Sequence, residues 1–253
     1  MKNVIIFCIG SLLLLKIRDI KQNKSSNKKI HGIIFGETGV NFTYQLGILK
    51  YMEQNFQLYH YKFCGISGGC HCAFIMTNKI NVDDFYNQFI IEIFNHKNKD
   101  KYTSIFDISK IALFKLYKSI CDLQNMNKKL YISMSKVFPY LHNHTICEYN
   151  SYDELYDCIK SSQYIPFLFG YPYTKYNNSI YIDGYVTSFY YKPTNENWIT
   201  IKIWNFNLYY YLTCILNFRY LFDENYHAKC FQDGYEDAKK KHSYFLQLGL
   251  FEK

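Results

Sequence analysis

From residue 29 onward the apolar positions fall into short unbroken runs and helix-spaced stripes. His31–Phe35, HGIIF, is an apolar run closed by Gly36 and predicts a buried strand. The turn Gly36-Glu37-Thr38-Gly39 follows. From Thr43 to Gln54, Tyr44, Leu46, Ile48, Leu49, Tyr51 and Met52 recur at helical spacing. Residues 59–67, YHYKFCGIS, return as a second strand that ends at Ser67, and Gly68 to Thr77 begins another helix. Strand, loop, helix, strand, turn, helix is the opening of a parallel α/β sheet.

Further along, Asp83 to Phe94 reads as a helix with Phe85, Phe89, Ile90 and Ile93 on one side. Phe106–Leu123 and Lys129–Val137 also read as helices. Ser151-Tyr152-Asp153-Glu154 is a capping box that opens a helix to about Ser161. SIYIDG, Ser179–Gly184, predicts a strand ending at an Asp-Gly turn, and the alternation of WITIKIW, Trp198–Trp204, predicts another. Asn207–Leu221 and Asp233–Leu248 close the chain as helices. There is no internal repeat.

Ahead of this domain, Val4–Leu15 is a 12-residue apolar run after Lys2. It is short for a bilayer-spanning helix, which needs about 20 residues, and matches a signal-peptide core in length. An uncleaved anchor, a signal peptide and a structural element of the domain are the three readings. The heavier positive charge follows the run, so an anchor would leave the body on the cytoplasmic side; a cleaved signal would make the protein secreted. Lys21–Lys29 is a basic, polar linker. The division is therefore an apolar segment with linker, 1–28, and a folded domain, 29–253.

At 253 residues one α/β domain is the natural expectation, and 49% apolar against 20% charged residues argues against disorder. The 27 Tyr and 21 Phe accompany abundant Asn, Lys and Ile, a bias of AT-rich coding, so aromatic clusters do not by themselves mark stacking sites. The net charge of +8 suits either a solvated lysine-rich surface or a face toward anionic lipid. No nucleic-acid motif is present. Nine scattered cysteines, several inside apolar runs, read as buried free thiols. Cys70-His71-Cys72 is too close-set for zinc, and Asp83-Asp84 looks like a helix start, not a calcium cluster. Neither a metal nor a cofactor is expected.

The chemistry concentrates at Gly65-Ile66-Ser67-Gly68-Gly69. A serine hydroxyl is a poor nucleophile unless a base takes its proton and donors stabilise the oxyanion. A G-x-S-x-G turn between strand and helix lifts the hydroxyl out at the carboxyl end of a sheet and aims a helix N-terminus at the developing charge. The glycine-containing loop after the first strand supplies backbone N–H donors on the same sheet edge. Asp183-Gly184 ends a predicted strand and offers a carboxylate as base, although an isolated Asp-Gly by itself reads more readily as a plain turn.

Taken together these segments resemble the patatin-like phospholipases. IIFGETGVNFTYQLGILKYM is similar to the family's oxyanion loop and following helix, CGISGGCHCAF to its elbow, SSQYIPFLFG…YIDGYVTSFYYKP to its aspartate region, and FQDGYEDAKKK to its closing helix. The resemblance runs from about Lys29 to Leu250. It implies a three-layer α/β/α sandwich with a mostly parallel central sheet. It also implies a Ser67–Asp183 dyad without histidine, an oxyanion hole at Thr38, Gly39 and Val40, and acyl esters of membrane lipids as substrate, met at the membrane surface.

Three departures bear on activity. The family's loop is usually G-G-G-x-R-G, whereas here only Gly39 of the glycines aligns, and Asn41 stands at the arginine position. Glu37 puts a carboxylate beside a site meant for negative charge. Asp183-Gly184 is followed by Tyr185 in place of Gly or Ala. The alternatives are an inactive patatin-like fold that binds lipid or protein, and a Ser-His-Asp esterase with His227 or His242 as base.

Overall fold

A computed structural model of the chain describes residues 29–97, 111–112, 123–168, 171–190, 192–214 and 216–253. The expectations for 1–28 fall outside the described residues, and that of a helix over Phe106–Leu123 falls almost wholly outside them. The architecture is α/β, with a central sheet flanked by helices and parallel at its centre, the class the sequence leads one to expect.

The first half follows the predicted order. Strand β1 (Gly32–Phe35) leads through a 3-10 turn (Gly39–Asn41) into helix α1 (Phe42–Asn55). Strand β2 (Lys62–Ile66) leads into α2 (Gly69–Thr77), and α3 spans Val82–Lys97. After a short α4 (Leu123–Met126) come β3 (Leu130–Lys136), β4 (His142–Ile146) and α5 (Tyr152–Ser162). Ser151 caps α5, its Oγ accepting the Glu154 N–H at 3.1 Å, as the capping box requires. The hairpin β5 (Thr174–Tyr176) and β6 (Ser179–Ile182), a 3-10 segment (Gly184–Tyr190), β7 (Trp198–Ile201), α6 (Leu208–Thr213), α7 (Glu224–Lys240) and α8 (His242–Gln247) complete the chain.

Several boundaries differ from expectation. Lys129–Val137 is strand β3, not a helix: Leu130, Ile132 and Met134 enter the large core while Tyr131 joins a smaller cluster across the sheet. A strand buried on both faces shows no polar side, so its period is hidden. Asn207–Leu221 is α6 followed by a separate 3-10 turn (Leu216–Tyr220). The closing helix starts at Glu224, nine residues earlier than expected, because Asp223 caps it by accepting the Tyr226 N–H at 3.0 Å. It breaks at Lys241 before α8. Strand β7 stops at Ile201 and Trp204 lies in a 3-10 turn.

The strand order is β5-β6-β3-β2-β1-β7, with β4 also on β3. Strands β7, β1, β2 and β3 run parallel; β4 and β6 are antiparallel to β3. Ile33, Phe35 and Phe63 point into the main core, whereas Ile34, Cys64, Ile66 and Trp198 form the second cluster, so both faces are buried. Helices α1 and α7 pack backbone to backbone. A Cβ on Gly234 would lie 2.0 Å from the Tyr44 carbonyl oxygen, and one on Gly47 2.0 Å from that of Phe231. The Tyr44 hydroxyl donates to Asp237 at 2.8 Å. The closing helix thereby braces the helix that follows the Gly36–Gly39 loop. Among the described residues no helix is long and apolar enough to cross a membrane, and the seven described cysteines are free.

Candidate active site

The position of the site follows from what pairs with β3. Residues Ile132 to Lys136 of β3 face β4 along one edge. On the other edge Ile132 and Ser133 pair with Gly65 and Ile66 of β2, while Ser135 and Lys136 pair with Ile182 and Tyr181 of β6. Each strand residue has two edges only. Strands β2 and β6 therefore share one edge of β3 and meet end to end, pointing at each other. Only Met134 of β3 separates the two pairings. The residue after β2 is Ser67, and the residue after β6 is Asp183.

Ser67 Oγ donates to Asp183 Oδ2 at 2.7 Å, and both residues are buried. Ser67 sits at φ +53°, in the left-handed region, which costs a non-glycine residue about 1 kcal/mol or more. Surrounding contacts hold the bend. The Ser67 N–H donates to Ser162 Oγ at 2.9 Å, Ser162 Oγ donates to the Ser133 carbonyl at 2.6 Å, and Gln163 Nε2 reaches the Ser67 carbonyl at 3.4 Å. The end of α5 thus ties the Ser67 backbone to β3. A Cβ on Gly65 would lie 2.3 Å from Cys70 Cα, and one on Gly69 2.3 Å from the Phe35 carbonyl. These glycines let strand, helix and β1 crowd together at the bend. Gly68 lies against Thr38, and Ile66 belongs to the second core cluster.

Asp183 is fixed as firmly. Its Oδ1 accepts the Tyr185 N–H at 2.8 Å, its N–H donates to the Tyr164 carbonyl at 2.8 Å, and its carbonyl accepts from Ser135 Oγ at 2.7 Å. Gly184 packs on the Ser133 carbonyl. Burial pushes the Asp183 carboxyl up to about 7; the hydrogen bonds from Tyr185 and Ser67 pull it down, and the Glu37 charge adds a further push upward. A carboxylate whose affinity for a proton lies near neutrality is suited to act as a general base. The neighbouring Cys70 is no rival nucleophile. Burial pushes its thiol up, and its sulfur donates to Ser162 Oγ at 3.3 Å.

The Gly36–Gly39 loop lies beside the bend. Gly39 adopts φ +53°, and a Cβ there would sit 2.6 Å from the Cys214 carbonyl oxygen. The Val40 N–H donates to that same carbonyl at 3.2 Å. Of the three residues expected to donate to an oxyanion, Val40 therefore has its N–H engaged by the 208–216 region. Glu37 is buried and accepts from the Tyr211 hydroxyl at 3.4 Å. Asn41 turns away from the bend: its amide donates to the Tyr210 carbonyl and its oxygen accepts from the Tyr226 hydroxyl.

Among the described residues no histidine bonds to Ser67 or Asp183. His227 Nδ1 meets Thr43 Oγ1 at 3.1 Å and Nε2 meets the Leu221 carbonyl at 2.9 Å; burial pulls it down to about 4. His242 is engaged by Tyr51 and Glu252. His71, also pulled down to about 4 by burial, meets Gln163 Nε2 at 2.8 Å.

Sequence reasoning missed Ser162, Ser133, Ser135 and Cys214, which support the site through contacts distant in the chain. The only local hint was Ser161-Ser162 at the predicted end of the capped helix.

No family model matches the chain, and no curated protein matches it. Among solved structures it is similar to the crystal structure of VipD from Legionella pneumophila. The TM-score is 0.42 and the identity 10%, over 69% of this chain and 50% of that one, so the chain spans about half of that protein's length.

Proposed function

We propose that the chain is a patatin-like serine acyl hydrolase that cleaves ester bonds of membrane lipids with Ser67 as nucleophile and Asp183 as base. The observation that carries the reading is the 2.7 Å contact between Ser67 Oγ and an Asp183 carboxylate raised to about 7 at the foot of two abutting strands. Asp183 takes the Ser67 proton as Oγ attacks the ester carbonyl. In this reading the backbone N–H groups of Thr38, Gly39 and Gly68 are the oxyanion donors, and the Ser67 N–H, given to Ser162, does not take part. Collapse of the tetrahedral intermediate expels the alcohol, which receives its proton from Asp183 and leaves an acyl-Ser67 ester. Asp183 then deprotonates water, which attacks the acyl carbonyl. The acid leaves, and Ser67 regains its proton from Asp183.

The engagement of both ring nitrogens of His227, and of His242 at the far end of α1, argues against a Ser-His-Asp triad. A second reading, a lipid-binding fold with little or no turnover, is favoured by Glu37 in the oxyanion loop and by the engaged Val40 N–H. A fluorophosphonate probe separates the two. Labelling of wild type that disappears in Ser67→Ala, with turnover of a short-chain p-nitrophenyl ester lost in the same variant, supports the hydrolase. Wild type that is neither labelled nor active supports the binding module.

A further inference from the structure

The dyad lies at the foot of a wall, and that wall ends in exposed apolar side chains. Beyond Met134, β3 continues to Lys136 and turns back through 137–141 into β4. The Val137 N–H donates to the Ile180 carbonyl at 2.9 Å, pinning the turn to β6. By strand rise, the end of β3 at Lys136 stands roughly 7 Å beyond the level of the dyad, and Phe138 follows two residues on in the turn. The loop after α5 is tied to the same place: the Asp183 N–H donates to the Tyr164 carbonyl, and both the Tyr164 hydroxyl and the Phe167 N–H donate to the Tyr171 carbonyl. Phe138, Tyr140, Phe167 and Tyr171 are between 68% and 78% exposed. Leu216, 58% exposed, lies two residues after the Cys214 whose carbonyl packs on Gly39 and accepts from Val40. Large side chains exposed together on elements that converge on one buried pair form a patch, which scattered surface residues do not.

Charge says what the patch meets. The segments that build it, Lys129–Cys147, Cys158–Ile182, Gly184–Asn195 and Asn197–Phe222, contain no Asp or Glu. Their charged side chains outside the β5–β6 hairpin are basic, among them Lys136, Lys192, Lys202 and Arg219. Lys136 and Lys192 pair with no carboxylate among the described residues. The acidic side chains Asp153, Glu154 and Asp157, together with Lys175, line a separate open groove at the opposite end of α5 from Ser162. An aromatic and aliphatic rim with basic residues and no acidic ones matches the interface of an anionic bilayer: rings enter the headgroup level, and lysines meet the surface potential.

We propose that this rim, formed by the 137–141 turn, residues 164–168 with Tyr171, and Leu216, docks the protein on an anionic membrane surface with Ser67 facing the lipid. With the tip sunk about 5–10 Å, the dyad lies within a headgroup's depth of the bilayer. The proposal deepens the hydrolase reading by naming the surface through which its substrate arrives, and rests on that reading for its purpose, though not for the binding itself.

The test uses the full chain and vesicles of phosphatidylcholine, with and without phosphatidylglycerol. Wild type and Ser67→Ala should partition alike onto the anionic vesicles, and the Phe138→Ser/Tyr140→Ser and Phe167→Ser/Tyr171→Ser double variants should each partition at least tenfold less. Both double variants should keep wild-type turnover of a soluble short-chain ester, which shows that they fold. A Phe138→Trp variant should show a blue-shifted emission quenched by brominated lipid, which reports contact at the tip even if residues 4–15 also bind. Unchanged partition of both double variants, equal binding to neutral vesicles, or no quenching at Trp-substituted Phe138 overturns the proposal. So does a dimer that the double variants dissociate in the absence of vesicle binding. Loss of ester turnover with vesicle binding intact in wild type overturns the hydrolase reading alone.

Discussion

Replacing Asp183 by Asn should remove activity and yet stabilise the protein at alkaline pH. The amide keeps the shape of the carboxylate. Its oxygen can accept the Tyr185 N–H, and its NH2 can donate to Ser67 Oγ, so both side-chain contacts at 2.8 and 2.7 Å are preserved with one donor reversed. What disappears is a buried charge and the only function of a base. In the native protein the carboxyl keeps its proton to about pH 7, whereas the unfolded chain releases it near 3.8. Between those values the native state binds the extra proton, so the contribution of Asp183 to stability falls as pH rises. From pH 5 to pH 8.5 the fall is about 3 kcal/mol, at ~1.4 kcal/mol per pH unit up to the native value. The buried His71 and His227, both held near 4, act in the opposite sense below neutrality, and the difference between wild type and Asp183→Asn cancels them. Urea unfolding at the two pH values should therefore show Asp183→Asn gaining about 3 kcal/mol on wild type from pH 5 to pH 8.5. Turnover of a p-nitrophenyl ester should drop at least ~100-fold. A stability difference that does not change with pH, or turnover that survives, would refute the reasoning.

Turnover by wild type should rise with pH through about 7 and level off, since the base works only when unprotonated; a profile flat from pH 5 to pH 9 contradicts this. Glu37→Gln should shift that midpoint downward, because the Glu37 charge helps hold the Asp183 proton, and should raise the plateau rate by relieving the loop of negative charge. Ser162→Ala should strand the Ser67 N–H and the Ser133 carbonyl, costing about 1–3 kcal/mol in urea unfolding and lowering turnover without abolishing it. Gly39→Ala should lower the melting temperature, since its Cβ would press on the Cys214 carbonyl at 2.6 Å in a left-handed backbone; an unchanged melting temperature would show that the loop gives way freely.

Much of the site's machinery was legible in the sequence because it is local. The glycine pair around Ser67, the run before it and the helix after it are all consecutive, and the Ser151 cap is a four-residue signal. Asp183 was legible as a strand end, but not the direction from which it arrives. The sequence left the direction of the strand that carries it open, and β6 descends antiparallel onto the end of β2. That geometry depends on β3, read as a helix because its two faces are both buried, and on β4, whose HNHTI carries too little apolar signal to announce a strand. The hold of Cys214 on Val40 joins residues far apart in the chain and leaves no mark in local composition. The 129–137 stretch thus hid the reason why Ser67 and Asp183 meet.

Because Ser67 and Asp183 hang from neighbouring rungs of one ladder, their spacing is measured by a third strand that supplies neither. Sliding β6 by a single rung would carry the aspartate about 3.3 Å along that ladder and turn its side chain to the reverse of the sheet. Intermediate, half-competent placements are absent from such a scale. Sequence drift around the pair is thereby tolerated so long as the ladder holds, and a one-residue insertion within Ser133–Ser135 would separate the partners without touching either.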